Sequence, residues 1–381
     1  MKNLSIKGVF LIREKLIMNI VEPHNKELTG PTSFPSVLVS IQLSRVIAVL
    51  SVVYRHHIQA GAKFPIAGAV GVDIFFIISG FVIAYVVSRS TDSFLIKRLI
   101  KIMPMYILAV TATALAVILF PNAVYSLKIS VSGFVKSILF IPFVENKQPT
   151  ILTQGWTLYY EMFFYVVMFF CILFVKKKYL TFSCISVIVF VIIIKYLIFT
   201  EDSILNFYCG ELSFEFIGGI ILYHLYCRFD KKQNKKLINR KAKIITLLFL
   251  GVVSYWFLFF SEIYRFWFSQ YRSINYGIPA FILVGSLLFL EDSIKNIKTL
   301  KTVSLKIGDA SYIIYLIHFH IQAFLVRVVF SRITIFNGDF IAMEIVKFLF
   351  ISAIIIIISM AMHKYIEKPI QNYFRKKLKK A

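Results

Sequence analysis

Charge is scarce in this 381-residue chain: Asp, Glu, Lys and Arg make up 16% of it, whereas 59% is hydrophobic and 39 residues are Phe. A soluble core of this length has no use for so much apolar material, which excludes an ordinary water-soluble domain. Acidic residues are the scarcest of all, 19 against 43 basic ones. The four cysteines (Cys171, Cys184, Cys209, Cys227) lie in or beside apolar runs without metal-ligand spacing, so they read as packing residues. No His-x-x-x-His or Glu-x-x-His pair occurs in an apolar run, and a metal is not expected. No internal repeat is visible and no soluble domain is expected, since the longest connection between apolar runs is about 31 residues. The early apolar patch GVFLI is too short for a cleavable signal peptide.

What is present is a succession of apolar runs. Ten are long enough to cross a ~30 Å hydrocarbon layer: 37–57, 68–88, 104–121, 153–175, 179–199, 205–226, 243–261, 271–290, 308–330 and 340–363. The expectation is an all-α, polytopic membrane bundle of about ten transmembrane helices. Residues 130–144 are apolar but short and contain Pro142, which suggests a re-entrant or interfacial piece. A cytoplasmic N-terminus places 31 of the 43 Lys and Arg on the inner side and seven on the outer. That asymmetry predicts cytoplasmic N- and C-termini. The net charge of +24 is then mostly topogenic. The basic clusters at 176–178 and 231–243 read as contacts with membrane lipid headgroups, and no nucleic-acid partner is expected.

The chemistry is sought in polar residues that apolar spans should not tolerate. The first span, IQLSRVIAVLSVVYRHH, holds Arg45 and His56. Eleven helical residues turn through about 1100°, three turns plus roughly 20°, so both side chains project from one face about 16 Å apart. A guanidinium inside a bilayer must face protein or water. A fixed cation at one depth and a titratable imidazole at another describe a reaction site.

Around that pair stand further candidates. Asp73 in GAVGVDIFFIISGF either caps its helix or hydrogen-bonds the imidazole, fixing its tautomer. Ser79 and Gly80 allow close helix packing. Lys97, Arg98 and Lys101 in KRLIKIMPMY, just ahead of Pro104, are either topogenic or a phosphate site at the cytoplasmic mouth. Glu161 in QGWTLYYEMFFY is a carboxyl within a span, beside Trp156, Tyr159, Tyr160 and Tyr165. Glu211 and Glu215 sit one turn apart ahead of Gly218-Gly219. In GDASYIIYLIHFHI, His318 and His320 cannot share a helical face, so at most one points inward.

Taken in order, RVIAVLSVVYRHH, GVDIFFIISGF, KRLIKIMPMY, QGWTLYYEMFFY, GDASYIIYLIHFHI and the closing YIEKPI resemble the successive blocks of acyltransferase family 3, from about residue 41 to 371. The second span, IQ…R and GWTLYYEMFFY are most similar to its succinoglycan-type exopolysaccharide O-acetyltransferases. The resemblance implies a multi-pass enzyme of the bacterial cytoplasmic membrane. Such an enzyme moves an acyl group, usually acetyl from acetyl-CoA, to a hydroxyl of a surface glycan or lipid-linked oligosaccharide. Acetyl-CoA would be a donor substrate, with no bound cofactor. Carried onto this chain, the family roles put Arg45 and His56 at the catalytic centre with Asp73 and Ser79 beside them. Lys97, Arg98 and Lys101 would take the CoA end. The family commonly has Arg where this chain has Lys97 and Lys101, a change that keeps the charge and loses bidentate phosphate contacts.

The expected organisation is a cytoplasmic tail (1–36), a membrane acyltransferase domain (37–371) and a basic C-terminal tail (372–381). His56 would act as general base, oriented by Asp73 or Glu161, with Arg45 or a neighbouring donor stabilising charge on the thioester oxygen. Alternatively, His56 would itself accept the acyl group and carry it to an acceptor. Trp156 and His318 support the site. The competing class is a transporter or flippase for lipid-linked sugars, which intramembrane charges such as Arg327 and Lys347 would also suit.

Overall fold

The computed structural model describes residues 37–59, 68–119, 129–142, 150–198, 207–208, 210–232, 240–263, 271–332 and 341–380. The expected tail 1–36, Cys209 and most of the expected outward connections lie outside the described residues. Helix is the only regular secondary structure among the described residues. A chain this apolar needs it, because within hydrocarbon a helix satisfies every backbone N–H and C=O from its own segment.

The principal helices are α1 (Val39–Gln59), α2 (Val70–Arg89), α3 (Phe94–Leu119), α4 (Val131–Ile138), α5 (Trp156–Phe174) and α6 (Leu180–Ile198). They continue with α7 (Leu212–Lys232), α8 (Arg240–Ile263), α9 (Ile278–Phe289), α10 (Lys298–Phe324), α11 (Ile341–Met362) and α12 (Lys368–Lys380). Five-residue π-helical segments lead into α9 (Ser273–Gly277), follow α10 (Leu325–Val329) and join α11 to α12 (His363–Glu367).

Among the described residues, six helical stretches are long and apolar enough to cross a membrane: Val70–Arg89, Phe94–Leu119, Thr153–Phe174, Lys177–Lys195, Lys298–Arg332 and Ala342–Lys380. Lys243–Phe259 and Ser273–Phe289 are shorter apolar stretches. α1 and α7 are long, but their Arg, His, Gln and Glu side chains dilute the apolar character. The apolar surface left outside the bundle has the look of a lipid-facing belt: Ile118 and Leu119 on α3, Phe174 on α5, Phe182 on α6, Phe249 on α8 and Ile357 on α11 are all exposed.

α3 departs from expectation. It begins at Phe94, ten residues before Pro104, and runs through the proline. Lys97, Arg98 and Lys101 therefore belong to the helix itself. α4 has only eight residues, too few to cross; Ser130 caps it by accepting from Gly133 N–H at 2.9 Å.

The interior is closed by backbone approach. α2 and α7 cross at Gly80 and Gly219. A Cβ on Gly80 would lie 2.0 Å from the Phe216 carbonyl oxygen, and one on Gly219 would lie 2.1 Å from that of Ile77. Small residues at such crossings let helices gain dispersion contact where lipid offers no hydrophobic drive. Gly71 seats α2 on α1 in the same way, its Cβ position 2.3 Å from the Ala48 carbonyl oxygen. The Gly80 and Gly218-Gly219 positions thus act in packing.

Candidate active site

α1 carries the two residues singled out by spacing, and its placement is fixed from a distant part of the chain. The backbone N–H groups of Val39 and Ser40 donate to the two carboxylate oxygens of Glu291, at 3.0 and 2.7 Å. A buried carboxylate at a helix N-terminus satisfies otherwise orphaned donors and meets the positive end of the helix dipole. One turn on, Gln42 Nε2 donates to Asp309 of α10 at 2.8 Å. The first two contacts anchor the start of α1 to Glu291, and the third ties it to α10.

Arg45 follows on this face and lines a cavity of about 100 Å³. The cavity draws on six separated parts of the sequence. Arg45 comes from α1, Ser79 from α2, Lys101 from α3, and Thr157 and Glu161 from α5. α10 supplies Asp309, Tyr312 and Tyr315, and the π segment after α11 supplies Glu367. Its charged lining mixes two cations with three carboxylates. Tyr165 donates its hydroxyl to Glu161, and Tyr312 donates to the Ile102 carbonyl at 2.7 Å. Glu367 accepts from Gln371 and meets His363, at 2.8 and 2.7 Å. Arg45 Nε is buried with no hydrogen-bond partner among the described residues. A guanidinium on a cavity wall offers N–H donors to an anionic or carbonyl oxygen.

The basic cluster divides. Lys101 lines the cavity, whereas Lys97 is exposed. Arg98 lies between the rings of Phe94 and Tyr165, 5.7 Å from each centroid. Lys97 and Lys101 do not form a common clamp on the cavity.

His56 lies one stage beyond. It is absent from the cavity wall, and the nearest shared element is Tyr315. That ring lines the cavity and packs 5.9 Å, centroid to centroid, from the His318 ring. Tyr315 is held by Thr157 at 2.7 Å and by the Gln154 carbonyl, to which its hydroxyl donates at 2.8 Å. His318, fully buried on α10, brings Nε2 to within 3.0 Å of His56 Nδ1. His56 Nδ1 also lies 3.1 Å from the Val52 carbonyl oxygen. Phe319 meets the His56 ring edge-on at 5.6 Å. His320 points elsewhere and meets Thr113 at 3.0 Å.

Two expected placements are corrected. Asp73 is fully buried, but its carboxylate accepts from Arg272 Nε at 2.9 Å and Nη2 at 2.6 Å rather than from an imidazole. A bidentate guanidinium engages both its oxygens, and His56 meets Val52 and His318 instead. Glu161 does not reach His56 either, because it faces the cavity. The group beside His56 is therefore another imidazole. Trp156 stacks edge-on against Tyr160 at 6.1 Å and is not part of the cavity wall.

Asp309, Tyr312, Tyr315 and Glu367 join the site without having been singled out, although GDASYIIY and YIEKPI carry them. Asp309 and Tyr312 are three apart and Tyr315 three further on, the spacing of one helical face, which was the available signal. A second buried group lies apart from the cavity: His57 is 3.8 Å from Glu344 of α11, which pairs with Lys347 at 2.7 Å. Glu211, just ahead of α7, accepts from Ser273 N–H at 2.9 Å, tying the π segment to the start of that helix. Cys171, Cys184 and Cys227 form no disulfide among the described residues, and no cluster with metal-ligand geometry occurs among them.

Comparison with known proteins bears on these features directly. The chain is similar to the exopolysaccharide production protein ExoZ of Rhizobium meliloti (strain 1021), 30% identical over 273 residues, which is 68% of this chain and 78% of that protein. No solved structure matches it. The acyltransferase-domain profile of acyltransferase family 3 matches residues 38–364, from the start of α1 to the π segment that supplies Glu367. The residues that build the cavity and the histidine pair fall almost entirely within that match, and the chain belongs to this family of acyltransferases.

Proposed function

We propose that this protein is a multi-pass O-acyltransferase of the bacterial cytoplasmic membrane. It would move an acetyl group from acetyl-CoA to a hydroxyl of a surface glycan, as an exopolysaccharide, capsule or O-antigen precursor, free or lipid-linked. Family membership supplies acyl transfer, and the similarity to ExoZ favours a glycan acceptor. The charge asymmetry supports ten crossings with both termini cytoplasmic. Membership in an enzyme family also weighs against the transporter reading, which rested on intramembrane charge alone.

The observation that carries the proposal is the cavity where six sequence blocks meet around Arg45 and Lys101. A CoA thioester brings phosphates, which cations attract, and a thioester carbonyl, which needs a donor as charge develops on its oxygen. In this reading Lys101 and Arg98 draw the donor in from the cytoplasm, and Lys97 acts at the surface. Arg45, about 16 Å from His56 along α1, faces the phosphate-bearing arm of the donor. Ser79 and Glu161 shape the wall, with Glu161 offsetting the cationic charge. The arm then extends past Tyr315 toward His56.

At His56 the acceptor hydroxyl oxygen attacks the thioester carbonyl carbon as the imidazole takes its proton. Collapse of the tetrahedral intermediate breaks the carbon–sulfur bond, CoA leaves as thiolate, and the proton held by His56 returns to sulfur. Asp73, paired to Arg272, supports the bundle around this centre rather than the imidazole itself.

The test is transfer of radiolabel from acetyl-CoA to polysaccharide or lipid-linked glycan in membranes of an expressing strain. Base-labile label that disappears in His56→Ala is expected. Equal label in the variant would overturn the assignment of His56, and absence of label with acetyl, succinyl and longer donors would overturn the acyl-CoA reading.

A further inference from the structure

The His56–His318 contact determines which nitrogen of each ring carries a proton. His318 Nδ1 lies 2.7 Å from the Tyr315 carbonyl oxygen and 3.1 Å from that of Ile314. Two acceptors converge on that nitrogen, so it must be the N–H donor. In the neutral ring this leaves His318 Nε2 bare. His318 Nε2 is 3.0 Å from His56 Nδ1, and a hydrogen bond between them requires the proton on His56. The Val52 carbonyl, 3.1 Å from the same His56 nitrogen, demands the same assignment. The opposite arrangement would set a bare nitrogen against a carbonyl lone pair. His56 is thereby left with a bare Nε2, aimed away from His318.

We propose that His318 is a positioning residue of the acyl transfer, fixing the His56 ring and, with the Val52 carbonyl, holding it in the tautomer whose Nε2 accepts the hydroxyl proton. The proposal rests on the reading of His56 as general base. A carboxylate usually does this work by accepting the second N–H of a catalytic imidazole. Here a neutral imidazole does so, oriented in turn by two carbonyls of its own helix. When His56 Nε2 takes the proton, the cation formed is met by the His318 Nε2 lone pair and, through that ring, by the dipoles of the Tyr315 and Ile314 carbonyls. No buried anion is required, which suits a span where an unpaired carboxylate would be costly. Tyr315 joins the two sites, since its ring lines the donor cavity while its backbone carbonyl fixes His318.

The test compares wild type, His56→Ala, His318→Ala and His318→Gln in membranes, with acetyl-CoA as donor and glycan extract as acceptor. In His318→Ala, kcat is expected to fall roughly 100-fold while KM for acetyl-CoA stays within about twofold, since His56 keeps its Val52 contact but loses the partner that fixes its ring and meets the cation formed on proton transfer. Added imidazole should restore part of the rate by filling the vacated space. His318→Gln, whose amide presents one N–H to the carbonyls and one oxygen to His56, should retain more activity than alanine. Wild-type kcat in His318→Ala overturns the proposal. So does a loss that neither imidazole nor glutamine relieves, because that marks simple packing. Inactive wild type, or active His56→Ala, would instead bring down the functional reading on which it stands.

Discussion

Asp73 and Arg272, 199 positions apart, meet as a bidentate ion pair at 2.6 and 2.9 Å, and the same guanidinium reaches the Ala69 carbonyl at 3.3 Å. One carboxylate therefore binds the N-terminal turn of α2 to the entrance of α9. The pair is asymmetric: Asp73 is fully buried while the Arg272 side chain keeps 35% of its surface. Removing Arg272 strands a buried charge, a change that costs roughly 3–5 kcal/mol for fully buried pairs and less where one partner is partly solvated. Arg272→Gln is expected to destabilise the protein by about 2 kcal/mol, read by thermal unfolding in detergent. The double variant Asp73→Asn/Arg272→Gln should recover part of that loss. A double variant as unstable as the sum of the singles would sink the pairing account.

Glu291 holds the start of α1 through two backbone N–H groups. Glu291→Ala should cost about 1–2 kcal/mol, the loss of a charged cap on buried donors. It should also lower transfer, because α1 carries both Arg45 and His56. Unchanged stability and rate in that variant would show that α1 needs no such anchor.

The Gly80–Gly219 crossing leaves no room for a methyl group. Gly80→Ala places a carbon 2.0 Å from the Phe216 carbonyl oxygen, which only movement of α7 can relieve. A loss of roughly 3 kcal/mol is expected, measurable as a lowered melting temperature. A stable variant would mean that α2 and α7 can separate freely.

Lys97 and Lys101 are chemically alike and one turn apart, yet only Lys101 lines the cavity. Lys101→Met should lower kcat/KM for acetyl-CoA at least tenfold, the worth of one charge-assisted contact, with Lys97→Met within about threefold of wild type. Equal effects would return both lysines to a common surface role.

Tyr165 donates to Glu161, a carboxylate on the cavity wall. Tyr165→Phe removes a hydrogen bond to a charged group, worth about 1.5–3 kcal/mol, and should lower kcat roughly tenfold or more if Glu161 must keep its present orientation. Full activity in Tyr165→Phe would show that Glu161 holds its place unaided.

The sequence by itself determined the class of the molecule. Apolar runs too long for a soluble core, with few charges inside them, admit helices in a membrane and little else; α2, α5, α6 and α11 follow them closely, while α3 and α10 each begin ten residues ahead of their runs. It also determined that Arg45 and His56 share a face of α1, since helical pitch alone settles that. The ordered blocks identified the family. Local rules of this kind need only neighbours within a few turns.

Only the tertiary structure decided the partners. Asp73 and Glu161 both looked suited to orient His56. Which acceptor reaches an imidazole nitrogen depends on how α1, α2, α5 and α10 pack, and Arg272 took Asp73 while the cavity took Glu161. Lys97 and Lys101 could not be told apart by spacing, because a four-residue separation fixes a shared face but not what that face meets. Asp309 and Glu367, 58 positions apart, enter one cavity because the chain passes through α11 and returns. His318 stands beside His56 because α10 packs along α1. A contact across 262 positions depends on helix packing, and helical periodicity carries no information about that.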